Sequence, residues 1–283
     1  MKLQTTAALA AAFCMSTSSV LAKASTSVQL TKFTISVSSL SNAPGAPIPT
    51  VRFTSGSDYL EIDEETQDPL TYQYSILNAP GFFAASSSAT TPARAGARTS
   101  ISGDPFSSAG GSISASAFAY GTGGRVSTAH GSAVVGDDSA WAAFTLGPNT
   151  RLNISAFYEV TADIRGPSFL GAYEVAGFSA GLTLLPANGQ PGKASFADIA
   201  GNVAHAGFYT DAPIAEEGML KVTYAGSKTQ ATNGLFMAQA LTSVVSNVPI
   251  PEPTSGVLLL AGLGVLALSR RRLASPPKST LLA

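Results

Sequence analysis

Residues 147–164 read GPNTRLNISAFYEVTADI, and this stretch decides the fold class. Leu152, Ile154, Ala156, Tyr158, Val160, Ala162 and Ile164 are apolar at every second position. Arg151, Asn153, Ser155, Glu159, Thr161 and Asp163 between them are polar, with Phe157 the exception. Side chains along a strand point alternately to opposite faces, so a period of two held this long predicts a half-buried strand with one face on a core. Gly147-Pro148-Asn149-Thr150 supplies a turn before it, and Trp141 to Leu146 is the expected hairpin partner.

Shorter alternations lie on both sides. Phe33, Ile35 and Val37 form one set, and Tyr72, Tyr74 and Ile76 another. Ile113, Ala115, Ala117 and Ala119 alternate with Ser112, Ser114 and Ser116; Leu220, Val222 and Tyr224 follow, then the run Leu235 to Val245. No interior segment holds a helical period over a dozen positions, and Gly and Pro punctuate the chain at turn-like intervals. The expected fold is all-β, an antiparallel β-sandwich, jelly-roll-like, of about eight to ten strands. A β-solenoid is the alternative, but no fixed-period repeat supports it. The stretch 84–100, rich in Ala, Ser and Thr, reads as a surface loop, while Ser112 to Tyr120 reads as a strand.

Composition narrows the function classes. Only 12% of the 283 residues are charged, against about 25% in ordinary soluble chains. Such a chain lacks the clustered Lys and Arg that nucleic acid demands, so no nucleic-acid partner is expected. A surface poor in Glu and Lys also argues against a helix bundle. The formal net charge of −1 conceals an imbalance: residues 25–249 hold 10 cations and 16 carboxylates, and the remaining cations sit toward the two ends.

Those ends read as addresses. Lys2, the apolar run Ala7 to Met15 and the small residues Ala22-Lys23-Ala24 describe a secretory signal peptide over 1–24. The mature chain then starts at Ser25, or at Lys23 if Ala22 ends the leader. Cys14, within the leader, follows Phe13 rather than a small residue, which does not suit a lipoprotein box, and no other cysteine exists to form a disulfide. The body is expected over 25–246. After it come Pro251-Glu252-Pro253, an apolar segment over 256–268, and Arg270-Arg271-Arg272. The 16 residues Thr254 to Ser269 would span about 24 Å as a helix, short of a hydrocarbon core of about 30 Å unless the arginines snorkel. On spacing alone, a simple tail anchor with its Arg cluster cytoplasmic fits as well.

This order of Pro-Glu-Pro, short Gly/Leu-rich helix and arginine cluster resembles the PEP-CTERM sorting domain of exported proteins in Gram-negative bacteria. The resemblance covers residues 247–272, leaving 273–283 as a short cytoplasmic tail. It implies that an exosortase in the inner membrane reads Pro251, Glu252, Pro253 and Arg270 to Arg272. Processing there would send the body to the cell surface or the extracellular matrix. The family's setting implies extracellular polysaccharide, exopolysaccharide or biofilm, as a later partner.

Candidate chemistry is sparse. Gly177-Phe178-Ser179-Ala180-Gly181 matches the nucleophile-elbow pattern, with Asp198 and His205 after it in the order hydrolases use. Leu182 to Pro186 continues as a strand where an elbow needs a helix, so the pattern reads as strand interior. No catalytic residue is therefore expected, and the body is read as non-catalytic. Asp58, Glu61, Asp63, Glu64, Glu65 and Asp68 form the one acidic cluster, with Asp58, Glu61, Asp63, Glu65 and Asp68 the candidate ligands. Its two readings are a Ca²⁺ site, since hard cations take several oxygens, and a solvated acidic turn. Asp137-Asp138 is a second, smaller acidic pair. His130 and His205 are too far apart in sequence to indicate zinc. For a glycan, flat exposed rings are the expected tool. Trp141 and Tyr158 are expected in the core, with Phe82, Phe83 and Phe157 exposed. The resulting alternatives are a structural coat protein, a carbohydrate-binding module and a carbohydrate-active enzyme.

Overall fold

A computed structural model describes residues 22–248 apart from 56, 68–69, 81, 91–93, 122–124, 137–140, 166–172, 191 and 207–208. The chain divides into two units, Met1–Pro249 and Ile250–Ala283, and the described residues all lie in the first. They form fifteen strands and no helix. These are β1 (Ala22–Ser39), β2 (Val51–Ser55), β3 (Ser57–Gln67), β4 (Leu70–Pro80), β5 (Ser86–Ala89), β6 (Ala95–Asp104), β7 (Gly110–Gly121) and β8 (Arg125–Val135). The rest are β9 (Ala142–Leu146), β10 (Thr150–Arg165), β11 (Tyr173–Pro186), β12 (Ser195–Ala206), β13 (Tyr209–Thr210), β14 (Ile214–Ala225) and β15 (Thr232–Val248).

Every pairing is antiparallel, and the strands fall into two sheets. The six-stranded sheet runs β14-β10-β1-β7-β6-β5. The nine-stranded sheet runs β13-β12-β11-β15-β8-β3-β4, with β9 attached to β15 and β2 attached to β9. The inward faces of both sheets share one apolar core, so the all-β sandwich expected from the alternation is the fold. The alternation of residues 152–164 is β10 itself, with Leu152, Ile154, Ala156, Val160 and Ala162 buried and Tyr158 packed at the margin.

Two expectations need correction. Residues 142–146 are not the hairpin partner of β10: β9 pairs with β2 and β15 in the larger sheet, while β10 pairs with β1 and β14 in the smaller. The turn at 147–149 therefore carries the chain from one sheet to the other. Asn149 makes that corner possible. It sits at φ 60°, a left-handed conformation that asparagine tolerates better than most residues. Its side chain accepts a hydrogen bond from the Ser41 backbone N–H at 2.7 Å and donates to the Ser41 and Pro47 carbonyls, each at 3.0 Å.

Second, the stretch 84–100 is not a single loop, because it contains β5 and the first half of β6. Ala95, Ala97, Thr99 and Ile101 point inward, and their register partners in β7 are Ala119, Ala117, Ala115 and Ile113. On the opposite face the hydroxyls pair rung by rung, Ser100 with Ser114 at 2.7 Å and Ser102 with Ser112 at 2.8 Å. Small side chains on both faces give little hydropathy contrast, which hides a strand from a polarity pattern. β5 and β6 are among the fifteen strands described, against the eight to ten expected.

Aromatic rings fill the space that glycines leave on neighbouring strands. Phe178 lies opposite Gly201, where an added Cβ would stand 2.7 Å from the ring. Phe144 covers Gly234 more closely still, and Tyr158 covers Gly218 in the same way. Phe82 and Phe83, expected at the surface, belong to this interior: Phe83 meets Phe33 at 4.8 Å, and Phe82 stacks on Phe53 at 4.1 Å. Trp141 is half-buried beside β9. Phe157 does face outward, with the Lys32 ammonium 5.6 Å from its ring centroid.

Both ends of the described body leave at one pole. Ala22, opening β1, pairs with Gly121 at the end of β7, and Val248, closing β15, pairs with Arg125 at the start of β8. Residues 122–124 join β7 to β8, so the two exits flank one short connection.

Candidate functional site

The acidic stretch forms one face of β3, and its alternation sorts the candidate ligands. Leu60 and Ile62 point into the core, so Glu61, Asp63 and Glu65 point outward. Beside them on β4, Ile76 pairs with Glu61, Tyr74 with Asp63 and Tyr72 with Glu65. The Tyr72, Tyr74 and Ile76 alternation forms the predicted strand, yet these side chains are open to solvent, Tyr72 at 61% and Tyr74 at 50%. The cause is the face they occupy. As register partners of the outward Glu61, Asp63 and Glu65, they lie on the side of the sheet turned away from the core. Leu77, on the opposite face of β4, is exposed as well, because β4 is the outermost strand of the larger sheet.

The two tyrosine rings are nearly parallel, with centroids 6.3 Å apart and planes 12° apart. Tyr59 stands half-buried on the same outer face. Burial first, then the hydrogen bond and charge of Glu61, hold its hydroxyl above the ordinary tyrosine range. Tyr72 and Tyr74 are raised as well, by partial desolvation and then by the neighbouring acidic side chains. His130 on β8 faces Asp63 across the ladder, extending the polar face by one strand. The result is an open aromatic and acidic surface rather than a cleft.

As a calcium site the sequence candidates do not converge. Asp58 points inward while Glu61, Asp63 and Glu65 point out, and Asp68 and the pair Asp137-Asp138 lie outside the described residues. Among the described residues no three His, Cys, Asp or Glu side chains gather closely enough to hold a metal. The elbow pattern is likewise dispersed. Ser179 and Asp198 lie on the outer face of β11 and β12, whereas His205 is buried on the inner face. His130 and His205 also occupy opposite faces. A shallow concavity lined by Thr90, Arg98, Ser116 and Phe118 presents Arg98 as its one ionisable side chain among the described residues.

Two buried acids were not singled out as interior groups by the sequence. Asp58 is fully enclosed beneath the Phe82-Phe83 turn. The backbone N–H groups of Phe83 and Ala84 come close enough to favour its charged form, yet neither reaches hydrogen-bond geometry. Burial dominates, and the carboxyl is pushed up to about 7. At the pole of the chain exits, Glu174 is buried between His205 and Ser246 on its two neighbouring strands. Ser246 donates to Glu174 Oε1 at 2.9 Å, and His205 Nδ1 stands 3.8 Å from Oε2. Burial raises the Glu174 carboxyl, while Ser246 and His205 oppose that shift. The serine faces the acid rather than the imidazole, so the trio braces a strand end and is not arranged for nucleophilic attack.

The sorting residues Pro251, Glu252, Pro253, Arg270, Arg271 and Arg272, and the apolar segment 256–268, lie outside the described residues. Among the described residues, no helix is long and apolar enough to cross a membrane. No curated protein and no solved structure matches the chain. One family does match: residues 249–272 fit the PEP-CTERM protein-sorting motif. That span begins where β15 ends and contains the Pro-Glu-Pro element, the apolar run and the arginine cluster. The chain thus carries a PEP-CTERM sorting signal behind its β-sandwich, the mark of a protein exported and sorted by exosortase.

Proposed function

We propose that the sandwich is the non-catalytic cargo of this signal, a cell-surface or matrix protein that associates with extracellular polysaccharide through the outer face of β3 and β4. The observation that carries the reading is the exposed, near-parallel pair Tyr72 and Tyr74 beside the acidic rungs Glu61, Asp63 and Glu65. Tyrosine offers an apolar π-face for the C–H side of a sugar ring and a hydroxyl for its oxygens. Ionised carboxylates accept hydrogen bonds from sugar hydroxyls. The same acids, on a body with net charge −6 over 25–249, repel an anionic polymer and favour a neutral or amino-bearing glycan.

The reading is tested by a glycan array probed with the exported protein recovered from its cells. Binding to neutral or amino-bearing chains, reduced at least tenfold in Tyr72→Ala/Tyr74→Ala, is the expected result. Binding to no glycan favours a passive coat component instead. Hydrolysis of a bound glycan would favour a carbohydrate-active enzyme. Before the surface stage, the inner membrane holds the chain transiently through 256–268 and exosortase acts near Pro251-Glu252-Pro253. A Gram-negative envelope is the setting this implies.

A further inference from the structure

The sequence allows the leader to end at either of two bonds, because Val20-Leu21-Ala22 and Ala22-Lys23-Ala24 both place small or β-branched residues one and three positions before a cut. The sandwich distinguishes them. β1 starts at Ala22, and Ala24 is a fully buried core residue whose register partners are Ala119 on β7 and Ile164 on β10. Lys23 is the rung before it, paired with Tyr120 and Arg165, with its ammonium 5.9 Å from the Tyr120 ring centroid. β1 is an interior strand of its sheet, so each of these residues has a neighbour on both sides. A cut after Ala24 would delete both rungs from two ladders. It would leave the core gap between Ala119 and Ile164 unfilled and place a new ammonium where Ser25 sits between Phe118 and Asp163.

We propose that signal peptidase cuts between Ala22 and Lys23, making Lys23 the first residue of the mature protein. The proposal rests on the reading of an exported chain with an N-terminal leader. Water hydrolyses the Ala22–Lys23 peptide bond: its oxygen ends in the Ala22 carboxylate, and Lys23 keeps its nitrogen as the new α-ammonium. That ammonium and the Lys23 side chain then stand at the pole from which β15 also departs. Everything the sandwich needs from β1 beyond the first rung is retained.

The test is the intact mass and N-terminal peptide of the exported full chain, together with pulse-labelled processing of Ala24→Tyr. Processing precedes folding, so this variant reports the cut even if its sandwich fails to close. The expected results are a wild-type chain beginning at Lys23 and a variant processed at the wild-type rate, since position 24 then lies beyond the cut. A wild-type chain beginning at Ser25, or an Ala24→Tyr precursor that persists uncut, overturns the assignment while leaving the leader in place. A wild-type chain that keeps residues 1–22 overturns the leader reading and this proposal together.

Discussion

Replacing Asp58 by asparagine should change how stability depends on pH more than it changes stability at any one pH. The carboxyl is fully enclosed, and its folded-state value is pushed up to about 7 from 3.8. A raised acid is not penalised below its unfolded value, because both states are then protonated. Between about pH 4 and pH 7 the unfolded chain gives up the proton while the folded chain keeps it. Stability therefore falls by about 1.4 kcal/mol per pH unit across that window, then levels off. The total is about 4 kcal/mol, of the order of a third or more of a typical domain's stability. The Asp58→Asn variant keeps the shape and removes the titration, though its buried amide N–H donors would cost about 1–3 kcal/mol if unpaired. Urea unfolding of both proteins at half-unit intervals from pH 4 to 8 measures the difference directly. The gap should move by about 3–4 kcal/mol in favour of the variant across the window, wherever it starts. Parallel curves would show that Asp58 meets water in the folded state, and the reasoning from burial would fail.

The remaining predictions use other parts of the molecule. Gly234→Ala places a methyl into the Phe144 ring and should cost about 1–3 kcal/mol by thermal or urea unfolding, whereas Gly45→Ala, which has open space but φ 80°, tests backbone strain alone. Ser246→Ala removes the donor to Glu174 Oε1 and should cost about 1–3 kcal/mol above the Glu174 titration. The loss should shrink in acid, where a protonated Glu174 needs that donor less. Glu252→Ala should accumulate uncleaved precursor in the inner membrane, read by fractionation and by the mass of the 270–283 peptide.

Legibility in the sequence followed side-chain contrast. Where large apolar and polar residues alternate, as in Leu152 to Ile164, strand, face and burial could all be read. Between the small residues of β6 and β7 the reading splits: the Ile/Ala against Ser alternation of β7 reads as a strand, whereas β6, where Gly96, Arg98 and Thr99 interrupt it, reads as loop. Tyr72 and Tyr74 show a different limit, because period two identifies the strand but not which of its faces meets the core: as partners of the outward Glu65 and Asp63, they lie on the side turned away from it. Phe82 and Phe83 failed in the reverse direction: they were expected at the surface, yet Phe83 adopts φ 57° and turns back into the rings around Phe33. The sorting signal was fully legible because its information lies in composition and order along the chain.

The positions of the first and last strands set when this protein can fold. β1 lies inside the smaller sheet between β7 and β10, and β15 lies inside the larger one between β8 and β11. Thr26 bonds a carbonyl 135 residues away, and β8 waits for β15 across much of the chain. Pairings this distant carry a large loop-closure cost and make folding slow, on the order of milliseconds to seconds. A chain emerging from its N-terminus cannot complete the larger sheet until residues 232–248 arrive. The strand that completes it is immediately followed by the sorting signal. The larger sheet can thus be completed only once the residues directly preceding the sorting signal are available.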